Sequence, residues 1–171
     1  MLNLKTITAF VLCSFLSTWV NAQDKVVVFN FERAILSTEA AKEASAALNA
    51  DPAFAELQSR YETLVADIQA LRSKQQSEGL TWNADQRASH TKEVEYKRAD
   101  LELAQKKLQA EQNAAVRVLL QEFEEKTKKA LNEVIESEGI SIVLNASQAY
   151  YAAERADITA KVTDKLNKAK D

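Results

Sequence analysis

The feature that most constrains this sequence is a long stretch of helical periodicity from Asp51 to Glu138, interrupted once at Ser77–Asp85. Before the interruption, apolar residues recur three and four positions apart, which places them on one helical face; they are Phe54, Leu57, Tyr61, Leu64, Ile68 and Leu71. After it, neither Gly nor Pro occurs until Gly139. A short break lets the two apolar faces meet, so the sequence predicts an antiparallel helical hairpin.

This hairpin is too long for a compact domain to enclose. At about 1.5 Å per residue, the return helix would reach roughly 80 Å, so most of it must project into solvent. Several residues of the return helix are eleven positions apart, namely Leu101, Gln112, Phe123 and Val134 in one series and Leu108, Leu119 and Ala130 in another. An eleven-residue period opposes the supercoil that heptads impose. The sequence therefore predicts a nearly straight arm.

The N-terminal 22 residues have the pattern of a cleavable signal peptide. Lys5 supplies a positive charge, Ile7–Trp19 is almost wholly apolar, and small residues precede a cleavage site near Ala22. The alternative, a membrane anchor, needs about 20 apolar residues, more than this segment provides. Cleavage would remove Cys13, the only cysteine. The mature chain is then expected to fold without disulfides.

Short elements flank the hairpin on both sides. Lys25–Phe31 contains three consecutive valines, which favours a strand buried on both faces, and Glu32–Leu48 has a helical pattern with Asn30 as a candidate N-cap. The pair Asp51-Pro52 then suits an N-cap followed by the first helical position.

After the hairpin, Gly139 is placed for a left-handed helix cap. Ile140–Leu144 predicts a second strand and Ala149–Tyr151 a third. Asp157 is expected to cap a last helix, whose apolar face comprises Ile158, Val162 and Leu166.

The predicted fold class is therefore mainly α with a small β core. Residues 51–138 form the hairpin arm, inserted between strands of a β/α oligomerisation core made of residues 23–50 and 139–171. Two or three short strands bury too little and leave open edges. Strands of several subunits closing into a barrel-like core would solve both problems, with Val26, Val28, Ile142 and Leu144 as the expected contacts.

The sequence offers little for catalysis or cofactor binding. The formal net charge of −3 argues against nucleic acid, and neither glycine lies in a phosphate-binding motif. His90 is the only histidine, and its polar surroundings predict a solvated surface residue. With one histidine and no mature cysteine, a metal site is not expected. We predict no enzymatic activity and no cofactor.

The turn of the hairpin carries two large apolar residues, Leu80 and Trp82. Trp82 could fold back and cap the hairpin. Alternatively, both residues are exposed contacts for a partner.

The flanking segments carry a family resemblance. The leader, Lys25–Phe29, the hairpin, Ile140–Ala146, Ala149–Tyr151 and Ala156–Thr159 occur in the same order as in the Skp (OmpH) family of periplasmic chaperones, which the chain resembles over essentially its whole mature length. The C-terminal block carries most of the specificity.

This resemblance implies a homotrimer in the periplasm of a Gram-negative bacterium. Three arms would surround a cavity that holds unfolded outer-membrane β-barrel proteins without ATP. The better-known members are basic whereas this chain is acidic, which argues against contact with a membrane surface or lipopolysaccharide. A different class of function, a structural coiled-coil spacer or adaptor in the periplasm, fits the same hairpin. One stoichiometric folded partner would favour it.

Overall fold

The computed structural model describes residues 24–169. The predicted signal peptide and Cys13 lie outside them. The elements, in chain order, are β1 (Lys25–Phe29), α1 (Phe31–Leu36), α2 (Glu39–Ala50), α3 (Pro52–Glu78), α4 (Ala84–Glu138), β2 (Ile140–Asn145), 3₁₀ turns at Ala146–Gln148 and Glu154–Ala156, and α5 (Thr159–Lys168). Strand β1, the helices α1 and α2, the C-terminal part of α4, and everything after it form the base. Helix α3 and the rest of α4 form the arm.

The sheet of the base consists of β1 and β2 in parallel, with Val26 opposite Ile142 and Val28 opposite Leu144. Parallel pairing needs a long connection between the strands, and the whole arm supplies it. On its other edge, β1 bridges to Asp157, where the Ile158 amide donates to the Val28 carbonyl at 3.0 Å.

One apolar cluster fills the base. It joins alternate residues of β1 to α1, α5 and the C-terminal part of α4: Val27, Phe29, Ala34, Ile35, Leu119, Phe123, Ala130, Val134, Ile140, Ile158, Val162 and Leu166. The predicted α5 face of Ile158, Val162 and Leu166 is confirmed as buried. Helix α4 therefore supplies both the return helix of the arm and part of the core beneath it.

Side-chain caps place the helix boundaries. The Asn30 carboxamide accepts from the Arg33 amide, and the Asp51 carboxylate accepts from the Ala53 and Phe54 amides, as predicted. Asn83 and Gln86 form a capping box that begins α4. Gly139 ends α4 in the left-handed conformation, with φ 61° and ψ 44°. At the start of α5 the predicted cap was wrong: the N-cap is Ile158, which makes no side-chain cap bond, and Asp157 precedes it, with its carboxylate accepting from the Thr159 amide at 2.9 Å.

Three boundary predictions were wrong. The segment Glu32–Leu48 contains two helices, because Thr38 caps a new helix through the Ala41 amide. Ala149–Tyr151 forms no strand: β1 pairs with Asp157 at its outer edge, and the outer edge of β2 has no strand partner among residues 24–169. The first strand ends at Phe29, two residues before the predicted end; its outer face is buried only in part, with Val28 buried and Val26 46 % exposed.

The predicted fold class is confirmed: the chain is mainly helical, with a two-stranded sheet and a hairpin inserted between its strands. The barrel-like assembly stays a prediction, as does the division at residues 50 and 138. The apolar cluster of the base extends up α4 to Leu119.

Candidate interaction surfaces

The outer face of the sheet is an apolar patch. Side chains two positions apart in a strand share a face, so Val26, Val28, Ile142 and Leu144 lie together. Val26, Ile142 and Leu144 are 46 %, 48 % and 47 % exposed, whereas Val28, beside the Asp157 bridge, is 6 % exposed. The structure thus brings all four predicted oligomer-core residues onto one face, which we call the sheet patch.

Two further features adjoin the sheet. The two-stranded sheet leaves the second edge of β2 without a strand partner among residues 24–169. The loop after β2 exposes Tyr150 and Tyr151 almost completely. An open edge and exposed aromatic side chains are typical of a surface that another chain covers.

Ion pairs join the two ends of the chain at the base. The Glu138 carboxylate, at the end of α4, binds both Lys161 of α5 and Lys25 of β1. These two bonds, Lys161 first, hold the pKa of Glu138 below its usual value. Desolvation raises the pKa of Asp157, but hydrogen bonds from Thr159 and Arg33 outweigh it and leave that pKa lowered.

At the far end of the arm, Leu80 is 97 % exposed in the turn. Trp82 is half-buried, with its ring centroid 4.6 Å from that of His90 and the rings tilted by 43°. The Arg87 guanidinium donates twice to the Trp82 carbonyl. The turn is therefore held from both sides: Trp82 packs back on the hairpin, as the first interpretation had it, while Leu80 projects alone.

The prediction that His90 is a solvated surface residue was wrong. Its side chain is 9 % exposed, and Nε2 lies 3.0 Å from the Leu71 carbonyl oxygen of α3. A carbonyl only accepts, so Nε2 carries the proton and donates. His90 lies 4 residues before Val94 and continues the 4–3 spacing of Val94, Lys97, Leu101 and Ala104. That spacing was the sequence signal for its burial.

Along the arm, polar pairs supplement a thin apolar seam. Lys97 Nζ donates to Asp67 Oδ2 at 2.7 Å between α4 and α3. The hydrogen bond and charge of Asp67 raise the pKa of Lys97. Arg60 and Asp100 approach to 3.9 Å. Exposed pairs of this kind are screened by solvent and contribute little to stability.

Three large apolar side chains of α4 are exposed along the arm, and sequence reasoning missed them. Tyr96 is 72 %, Leu103 is 49 % and Val118 is 63 % exposed. Each directly precedes a residue that packs inward: Lys97, bound to Asp67, and the buried Ala104 and Leu119. This regularity in the sequence could have identified them.

Other kinds of site were sought among the same residues. In the range 24–169, no group of three or more His, Cys, Asp or Glu side chains is placed to hold a metal ion. No helix of this range combines the length and apolarity needed to cross a membrane. A recess of about 300 Å³ between α2 and α4 is lined by small and apolar residues, including Ala41, Ala44, Ala115 and Val116.

Comparisons with known proteins assign the chain to a family. The family model described as outer membrane protein (OmpH-like) matches residues 25–166. The Skp-like protein of Pseudomonas aeruginosa PAO1 is 27 % identical over 146 residues, which cover 85 % of this chain and 86 % of that protein. The crystal structure of an OmpH-like protein from Caulobacter crescentus CB15 is 21 % identical, with a TM-score of 0.49 and 86 % of each chain covered. Because the family model spans most of its length, this chain belongs to the OmpH-like outer membrane protein family.

Proposed function

We propose that this protein is an ATP-independent holdase chaperone of the Gram-negative periplasm. It would bind unfolded outer-membrane β-barrel proteins between the arms of a homotrimer and prevent their aggregation. The observation that carries the proposal is the hairpin arm, built from a 27-residue and a 55-residue helix on a small base. Family membership supports the same conclusion.

The physical reasoning starts from the client. An unfolded outer-membrane strand alternates apolar and polar side chains and has unpaired backbone groups, so such chains pair with each other. Several arms that offer weak contacts at once can retain a chain of any sequence through effective concentration, without one deep pocket. Release then needs no nucleotide, because each contact breaks separately.

Assembly of the arms depends on the sheet patch. Its three half-exposed residues and the open edge of β2 provide a surface that further copies could cover, closing strands from several subunits into one core. A closed arrangement removes open edges altogether. We assign the exposed Val26, Ile142 and Leu144 to this contact, with Val28 buried beside them within the same chain, and the projecting Leu80, with Trp82 behind it, to client contact.

The test is the light-scattering mass of the mature chain, alone and after addition of an outer-membrane barrel protein diluted from urea. A trimer that gains the mass of one client is the expected result. A monomer or dimer that leaves the client to aggregate would overturn the proposal. A trimer that ignores the client but captures one folded envelope protein would favour the spacer function instead.

Two variants separate assembly from folding. Val28 is buried within the single chain, so Val28→Asp would unfold the base together with the oligomer. Ile142→Asp, at a 48 % exposed position, leaves the chain folded and should weaken assembly at least about a hundredfold, because a carboxylate would be desolvated in the contact. A helical, monomeric Ile142→Asp chain is the expected outcome, and an unchanged trimer would remove the sheet patch from the interface.

A further inference from the structure

The exposed apolar residues of the arm are distributed unequally between its two helices. The large exposed ones are Leu80 in the turn and Tyr96, Leu103 and Val118 on α4; α3, all of whose residues the structure describes, has none. Exposed apolar residues could have been spread over both helices. They are concentrated on one.

The three α4 residues also share one side of that helix. At about 100° per residue, separations of 7 and 15 positions bring Tyr96, Leu103 and Val118 within a sector of about 60°. Each of the three also directly precedes a residue that packs inward, so they share one side of α4 even if the helix is not ideal. The three form a row along one side of α4, with Tyr96 and Leu103 in the arm and Val118 at the top of the base, beside the core residue Leu119. We call this row the α4 stripe.

The opposite flank of α4 is different in character. Gln105, Gln109 and Asn113 lie there, all exposed and polar. The two flanks of α4 are both exposed but differ in apolar content. Packing inside the single chain does not require this difference.

The spacing of the α4 stripe selects the kind of partner. A helix that packs against another helix needs apolar residues every three or four positions, but the stripe residues stand about 10 Å and about 22 Å apart along the axis. Three separated side chains also expose far less than the roughly 800 Å² per partner of a stable folded interface. Neither a second copy of the arm nor a folded protein fits this pattern.

We propose that the α4 stripe is the client-contact surface of the arm and that its occupant is an extended, unfolded chain with isolated apolar side chains. In such a chain, alternate residues recur at about 7 Å, so in any register each stripe residue has an apolar side chain within about half that distance along the axis. Weak contacts in many registers suit a client that must not be fixed in one conformation. This inference rests on the holdase function proposed above.

The experiment compares two triple variants of the full mature chain. One combines Tyr96→Ser, Leu103→Ser and Val118→Ser. The matched control combines Gln105→Ser, Gln109→Ser and Asn113→Ser, so that three serines with the same intrinsic helix propensity stand on the opposite flank. Circular dichroism and light scattering first check that both variants keep the helical content and mass of the parent.

Client binding is then measured by fluorescence anisotropy of a labelled barrel protein diluted from urea. The stripe variant should bind about tenfold more weakly, because three contacts in every arm lose their apolar surface, and the control less than about twofold. Equal binding by the parent, the stripe variant and the control would show that the α4 stripe is not the client-contact surface, while the proposed holdase function would remain. A parent chain that binds no client would remove the holdase function and the stripe with it.

Photo-crosslinking supplies an independent readout. With p-benzoylphenylalanine at position 103 or 118, light should join the arm to the unfolded client, whereas the same group at position 109 should give little product. A product of two arms joined to each other at position 103 or 118, formed without client, would show that a second copy covers the stripe and would overturn the assignment.

Discussion

The base and the arm share helix α4, yet they are stabilised differently. In the base, Ile35, Ile158 and Val162 are completely buried, and the cluster around them draws on both strands and on every helix of the base. In the arm, of the residues between Pro52 and Gln112, all of them described, only four are buried: Phe54, Leu64, His90 and Ala104. One continuous helix therefore passes from a region with a dense core to one with a single thin seam.

The difference indicates how the molecule divides its tasks. Local opening is easiest where few apolar contacts must be broken, so the arm can bend and separate while the base stays folded. Because α4 runs from the base into the arm without a break, the arm stays anchored although its own seam is thin. Matched substitutions in the base and in the arm therefore test whether the two regions differ in stability.

The largest effect is expected from a cavity in the base. Ile158→Ala should lower the free energy of unfolding by about 2–5 kcal/mol, since the site is completely buried and cannot collapse easily. Leu64→Ala, the counterpart in the arm, should raise hydrogen exchange of α3 and of the facing α4 amides while the global unfolding midpoint moves little. Both are measured at one protein concentration, because assembly affects the midpoint. Equal midpoint shifts would mean that the arm and the base unfold as one unit.

A second test concerns the turn, where the arm is most organised. His90→Ala removes the bond to the Leu71 carbonyl and the contact with Trp82, which together should cost about 1–2 kcal/mol of local stability. Amides around the turn should then exchange about tenfold faster, with the base unchanged. Trp82 fluorescence reports the same event, because the other tryptophan, Trp19, belongs to the predicted leader.

Ser89→Ala is the matched control for this variant, since Ser89 is exposed and adjacent. If both variants leave exchange at the turn unaltered, the contacts of His90 do not hold it. If both accelerate it alike, the turn is sensitive to any substitution there, and the contacts of the histidine are not responsible.

The same contrast explains what the sequence could predict. Local chemistry was sufficient for the hairpin, for the caps at Asn30 and Asp51 and for the left-handed Gly139, because each depends on neighbouring residues. Thr38 was missed although Thr38-Glu39 has the composition of a helix start. The sequence did not indicate that Asp157, and not Ala149–Tyr151, would pair with the outer edge of β1.

The candidate surfaces follow a similar rule. The four sheet-patch residues were found because strand alternation fixes which side chains share a face. The environment of His90 depends on Leu71, 19 positions away across the hairpin. The exposure of the α4 stripe depends on the next residue in each case packing inward. The burial of His90 and the exposure of the stripe can be recognised in the sequence only by following the inward-facing residues of α4 at alternating spacings of four and three.

A smaller effect is expected from the ion pairs that close the base. Glu138 has a lowered pKa when folded, so its contribution to stability is complete above the unperturbed value of 4.5 and is lost as the pH falls through the folded pKa. Asp157 acts in the same direction below its unperturbed 3.8. The free energy of unfolding should therefore be flat near neutral pH and fall in acid.

Glu138→Gln should lower the unfolding free energy by about 1 kcal/mol near neutral pH and flatten the acid decline, as thermal unfolding at a series of pH values would record. Glu136→Gln, an exposed neighbour on the same helix, should do neither. An unchanged decline in the Glu138 variant would mean that other carboxylates control the acid limb.

The smallest effect should have the opposite sign, and it lies where α4 enters the base. Thr127 is completely buried and its hydroxyl has no hydrogen-bond partner, so Thr127→Val keeps the shape, removes an unsatisfied polar group and should raise the unfolding free energy by up to about 1 kcal/mol. Thr163→Val provides the contrast, because the Thr163 hydroxyl lies 2.9 Å from the Ala34 carbonyl oxygen, and its loss should cost about 1–2 kcal/mol. Destabilisation by both variants would show that the Thr127 hydroxyl has a partner when the protein is assembled. Stabilisation by Thr127→Val alone, without slower exchange in the arm, would confirm that the two halves of α4 belong to separate cooperative units.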